Sequence, residues 1–91
     1  MIEKEIQIRN KTGLHARPAA LIVQKANQYR SEIFLEKGDD RINAKSIMGV
    51  MMLAAAEGAT LKVIASGADE KDAVAQICRL LESDIDKEVN S

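Results

Sequence analysis

The sequence has 91 residues, 46% hydrophobic but only 2% aromatic, which suits one small aliphatic core and excludes a two-lobed enzyme. Thirteen basic residues against fourteen acidic ones give a formal charge of −1, without the basic excess that direct nucleic acid binding requires. One cysteine, Cys78, and one histidine, His15, exclude an internal disulfide and the Cys/His clusters that bind zinc.

At the start of the chain Ile2, Ile6 and Ile8 share one parity and Glu3, Glu5, Gln7 and Arg9 the other, as in a half-buried strand. Lys4 is the one misfit. After a break at Asn10 to Gly13, Pro18 fits the first turn of a helix that carries Ala19, Ile22, Val23 and Ala26 to about Tyr29. Ile33 and Leu35 alternate with Glu32 and Glu36, and Gly38-Asp39-Asp40 supplies a turn before the short run Arg41 to Ala44, predicting a hairpin. Ser46 can cap a short helix that Gly58 terminates. Leu61, Val63 and Ala65 then form a strand that Gly67 ends. Asp69 is the N-cap candidate of an amphipathic helix marked by Ala73, Val74, Ile77, Leu80 and Leu81, with a polar tail after Ile85. Strand periods with one apolar face predict an α+β fold over 1–91. It is an open-faced β-sandwich whose four-stranded antiparallel sheet is covered on one face by three helices, in the order β-α-β-β-α-β-α.

The longest apolar run, Ile47 to Ala56, is about half a membrane span, and the charged start Met1-Ile2-Glu3-Lys4-Glu5 is unlike a secretory signal. The expected location is the cytoplasm, without membrane insertion.

The only histidine lies in Thr12-Gly13-Leu14-His15-Ala16-Arg17-Pro18-Ala19-Ala20, just before a helix whose start is fixed by Pro18. The first amides of a helix lack intrahelical partners and the dipole is positive there, so an anion beside His15 finds donors. Arg17 adds a charge and a fork suited to phosphate oxygens, and Gly13 can turn the chain so that the imidazole faces outward. A neutral imidazole is a competent nucleophile near physiological pH. The same histidine could also merely cap or pack at the helix start.

Ser46 precedes Ile47-Met48-Gly49-Val50-Met51-Met52-Leu53-Ala54, which is apolar on every side. A short helix in a one-layer cover cannot bury its whole circumference, so part of it should face a partner. Ile47, Met48 and Met51, with Ala20 on the first helix, form the candidate docking patch, since methionine repacks against differing shapes. Val50 and Leu53 suit the core, and Met52 fits either role. Cys78 reads as a small core residue, Asp39-Asp40 as a solvated turn, and Glu70 to Asp72 as a helix start.

Two motifs, Gly13-Leu14-His15-Ala16-Arg17-Pro18-Ala19-Ala20 and Asn43-Ala44-Lys45-Ser46-Ile47-Met48-Gly49-Val50-Met51, together resemble the phosphocarrier protein family HPr of the bacterial sugar phosphotransferase system. The resemblance covers nearly the whole chain. It implies that Enzyme I passes a phosphoryl group from phosphoenolpyruvate to Nδ1 of His15, that Arg17 steadies the charge, and that IIA domains of sugar permeases receive it. The chain would then be a carrier acted on by enzymes, with no cofactor or metal. Lys45-Ser46-Ile47-Met48-Gly49 resembles the Gram-positive version. There a kinase/phosphorylase phosphorylates the serine and the product binds the catabolite control repressor. A regulatory paralogue that has glutamine in place of the histidine shares Phe34-Leu35-Glu36-Lys37 and Asn43-Ala44-Lys45-Ser46, whereas this chain keeps His15. The alternative function is therefore a module that acts mainly as a Ser46-phosphorylated corepressor.

Overall fold

A computed structural model describes residues 1–9, 16–53 and 57–83. The elements are β1 (Ile2–Gln7), α1 (Ala16–Ala26), β2 (Glu32–Lys37), β3 (Asp40–Asn43), α2 (Ile47–Met52), β4 (Thr60–Ser66) and α3 (Glu70–Glu82), in the predicted order. All four strands join in one antiparallel sheet with the spatial order β1-β4-β2-β3.

The register explains why one face is apolar. Ile2, Ala65 and Ile33 lie in one row across the sheet, Lys4, Val63, Leu35 and Ile42 in another, and Ile6 pairs with Leu61. All of these except Lys4 are buried in the core or packed against it. Lys4 keeps the parity of the apolar residues, but on the outermost strand its side chain remains exposed. The opposite parity puts Glu5, Lys62, Glu36 and Arg41 in a row of alternating charge across the open face. Opposite charges on neighbouring strands attract. Arg41 Nε lies 2.9 Å from Glu36 Oε2, and its guanidinium stands 5.8 Å from the centroid of Phe34. Ile64 is buried on this face too, in the row that holds Phe34.

The helices bury their apolar stripes on the other side. α3 contributes Ala73, Val74, Ile77, Cys78 and Leu81, and α1 contributes Pro18, Ala19, Ile22 and Ala26. Fully inaccessible Ile22, Ile33, Leu35, Leu61 and Ile77 form the centre, where removing one side chain to alanine costs about 2–5 kcal/mol.

Local details depart from the sequence expectations in three places. α1 ends at Ala26 rather than near Tyr29, because Gln28 N donates to Lys25 O and Tyr29 N to Ala26 O, three residues back, which tightens the last turn. α2 stops at Met52, well before Gly58. Leu53 N is shared between the carbonyls of Gly49 and Val50, and the path over 54–56 lies outside the described residues, as does the polar tail after Ile85.

The third departure is at Asp69, which stands at the N-cap position of α3 yet makes no capping bond with its side chain. Its carboxylate instead accepts from the backbone N–H groups of Arg30 and Ser31, each at 2.9 Å, and from the Ser31 hydroxyl. These bonds, the Ser31 hydroxyl first, hold the Asp69 carboxyl down at about 2. Glu70 Oε1 takes the N–H of Gly67 at 3.1 Å. Gly67 has φ +153°, and a Cβ there would lie 2.6 Å from Ser31 Oγ, so glycine lets the end of β4 pass over buried Ser31.

Candidate functional site

α1 begins at Ala16 with Ala16 and Arg17 exposed and with Pro18 and Ala19 buried, so the proline both starts the helix and seats its first turn on the core. The first turn carries no acidic residue. The positive end of the helix dipole is therefore reinforced by the Arg17 guanidinium rather than offset by a carboxylate of that turn. His15 itself, with the 10–15 segment and Gly13, lies outside the described residues. The expected outward turn of the imidazole is thus a matter of sequence alone.

α2 packs against α1, which sets Arg17 and half-buried Ala20 on the helix next to the one that Ser46 caps. Ser46 has extended backbone angles, and its hydroxyl accepts the N–H of Gly49 at 3.1 Å. The expected cap is present. Its carbonyl also receives the Val50 N–H at 3.0 Å, the first intrahelical bond.

Val50 and Leu53 bury the inner side of α2, whereas Ile47, Met48, Met51 and Met52 are 42%, 66%, 41% and 76% exposed. Met52, which the sequence left between core and surface, lies at the surface. Gly49 belongs to the inner side, where a Cβ would meet Asn43 O and Ile42 Cβ at 3.4 Å, so its missing side chain allows α2 to lie close on β3.

Two lysines hold this helix in a way no motif announces. Lys45 Nζ donates to Tyr29 O at 2.8 Å and Lys45 N to Asn43 Oδ1 at 2.8 Å, tying the residue before Ser46 to the turn that follows α1 and to the end of β3. Lys37 Nζ reaches Leu53 O at 3.4 Å, at the other end of α2. A cation beside the last carbonyls of a helix complements its dipole. Lys37 follows Ile33 and Leu35 with the same parity, a sequence signal of a charge placed on a covered face.

Cys78 is buried among core residues, and burial pushes its thiol up to about 11, with Lys4 opposing the shift and Glu82 adding to it. A thiol in that state is not a nucleophile at neutral pH. Among the described residues no group of three or more His, Cys, Asp or Glu side chains could hold a metal, and no helix is long and apolar enough to cross a membrane.

Comparison with known proteins agrees with this open-faced sheet and its helical cover. The family described as PTS HPr component phosphorylation site matches residues 2–83. The chain belongs to the PTS HPr family. It is 49% identical to the HPr-like protein Crh of Halalkalibacterium halodurans, over 92% of this chain and all of that one. It is 46% identical to the phosphocarrier protein HPr of Treponema pallidum, over 97% of this chain and all of that one. Among solved structures, HPr of Thermoanaerobacter tengcongensis superposes with a TM-score of 0.89 at 49% identity, covering 94% of this chain and 97% of the other. Membership of this family ties the chain to the phosphotransferase system, and the Crh and HPr neighbours agree with the Gram-positive type that the serine motif implies.

Proposed function

We propose that this chain, as one domain over 1–91, is a cytoplasmic phosphocarrier that is itself a substrate of enzymes. The observation that carries the reading is the histidine at position 15, directly before Ala16 and Arg17 at the start of α1. Nδ1 of His15 forms a bond to phosphorus as the bond to the donor, Enzyme I, breaks, and the reverse exchange delivers the phosphoryl group to a IIA domain of a sugar permease. The arriving phosphoryl oxygens meet the N-terminal amides of α1 and the Arg17 guanidinium, which favour the charge without any metal or cofactor. Ala20, Ile47, Met48 and Met51 supply the apolar surface on which these proteins dock. Ser46 is the regulatory site, modified by an HPr kinase/phosphorylase, and in its phosphorylated form it engages the catabolite control repressor. No direct contact with nucleic acid is part of this reading.

A second reading, a regulatory module acting mainly through phosphorylated Ser46, is favoured by the 49% identity to a Crh protein along its whole length. The two readings separate on one measurement. Incubation with labelled phosphoenolpyruvate and Enzyme I should place an acid-labile phosphate on the wild-type chain and none on a folded His15→Ala variant. Wild type that stays unlabelled, or a variant that labels equally well, removes the carrier reading.

A further inference from the structure

The exposed side of α2 is made largely of thioethers. Met48 and Met52, 66% and 76% exposed, stand one turn apart on the same face of the helix, and Met51, 41% exposed, borders Ile47. The core holds α2 through Val50 and Leu53 instead, and its ends through the Ser46 hydroxyl and the Lys37 and Lys45 ammonium groups. The methionines can therefore change chemically while the helix stays seated. The only thiol, Cys78, is 1% exposed and its acidity is suppressed, so it does not compete for an oxidant arriving from solvent. From this division we infer that Met48, Met51 and Met52 form a reversible oxidation site, at which conversion to methionine sulfoxide by a peroxide turns the apolar face of α2 polar and weakens docking on it. The inference rests on the docking role given above to Met48 and Met51, and it adds a regulation of that surface.

The chemistry balances with a peroxide as the oxidant. A lone pair of the thioether sulfur attacks one peroxide oxygen, the O–O bond breaks, the sulfur is oxidised by two electrons to the sulfoxide, and the departing hydroxide takes a proton to leave as water. A dithiol reductant reverses the step, returning the thioether with release of water and formation of a disulfide. The sulfoxide oxygen is a strong acceptor on a surface where a partner offers apolar atoms, so each new S=O must be desolvated or excluded on docking.

The test treats the full chain with graded hydrogen peroxide and follows each methionine by peptide mass spectrometry. Met48 and Met52 should gain oxygen before Met51, and Cys78 should keep its thiol. The thermal melt should stay unchanged while retention on a phenyl column falls. Phosphoryl transfer from Enzyme I should slow roughly fivefold or more, the scale of losing one important interface side chain. Methionine sulfoxide reductases with dithiothreitol should restore both retention and rate. A Met48→Leu/Met51→Leu/Met52→Leu variant retains exposed Met1, and its transfer rate, whatever its starting value, should no longer respond to peroxide. The inference is overturned if the melt collapses as the α2 sulfoxides form, if retention does not fall, if fully oxidised protein transfers at the untreated rate, or if the leucine variant responds equally. Failure of untreated protein to accept phosphate refutes the carrier reading instead, and the melt and column retention then still decide the oxidation site.

Discussion

Ser46→Ala removes the one side-chain acceptor that the described structure places at the start of α2, the hydroxyl that receives Gly49 N–H at 3.1 Å. The first turn of α2 has no acidic residue that could replace it. Losing such a cap costs about 1 kcal/mol, and in a domain of this size that lowers Tm by about 4–8 °C. Ser46→Asp keeps an acceptor and adds a negative charge at the positive end of the helix dipole, worth about 0.3–1 kcal/mol. It should therefore melt at or above wild type and clearly above Ser46→Ala. Phosphoserine, at a charge of about −1.5 to −2, acts in the same direction. Lys45, the neighbouring cation, donates to Tyr29 O, so its ammonium group is engaged away from the Ser46 hydroxyl. Function should then move opposite to stability. Ser46→Asp should accept phosphate from Enzyme I more slowly than wild type, Ser46→Ala at the wild-type rate, and salt should narrow the gap as the Debye length falls from about 10 Å at 0.1 M to about 3 Å at 1 M. Melts by circular dichroism and transfer rates at both salt concentrations measure all of this. The reasoning is refuted if Ser46→Asp melts below Ser46→Ala, or transfers as fast as wild type at low salt.

Asp69 predicts a pH dependence. Its folded value near 2 lies below its ordinary 3.8, so the carboxylate stabilises the fold fully above about 3.8, and that contribution is lost as pH falls towards 2. Urea midpoints across this window should fall for wild type more than for Asp69→Asn, and parallel curves would remove the role given to the Ser31 and Arg30 bonds. Gly67→Ala drives a Cβ to 2.7 Å from Ser31 Cα at a positive φ, and should destabilise by about 1–3 kcal/mol or more, whereas Gly38→Ala, with nothing within 4 Å, should lose less in the same melt. Met48→Glu should leave Tm within a few degrees of wild type while weakening Enzyme I binding in a titration; a large drop in Tm would place Met48 in the core after all.

Alternation and helical spacing were enough to read β1, β2, β4, α1 and α3, because each buries one face and the period of the apolar residues names its type, whereas β3 was read from the Gly38-Asp39-Asp40 turn and α2 from the Ser46 cap. Ile33 with Leu35, and Ala73 with Val74 and Ile77, are examples. The cap at Ser46 was legible because it is local, the acceptor and Gly49 N–H being three residues apart. The carboxylate of Asp69 was misread as a cap for the opposite reason. Its partners are 38 and 39 residues away in sequence, and no local pattern distinguishes a serine that will be buried against it. The lysine contacts at the two ends of α2 were hidden in the same way, each bridging 16 residues. Exposure of Met52 followed from the rotation of a six-residue helix, which apolar residues on every side cannot specify but Val50, Leu53 and the close approach at Gly49 do.

The lysine on the helix-facing side of β1 affects more than this one molecule. β1 is an outer strand, with one row of backbone groups turned to β4 and the other facing outward. Such an edge invites another chain to extend the sheet. Any strand laid beside β1 would set a side chain against Lys4, and an apolar one would then have to share its cover with an ammonium group. The charge that interrupts the isoleucine pattern at the start of the sequence thus guards the border of the sheet, and exchanging it for isoleucine would perfect the pattern while opening the molecule to stacking edge to edge.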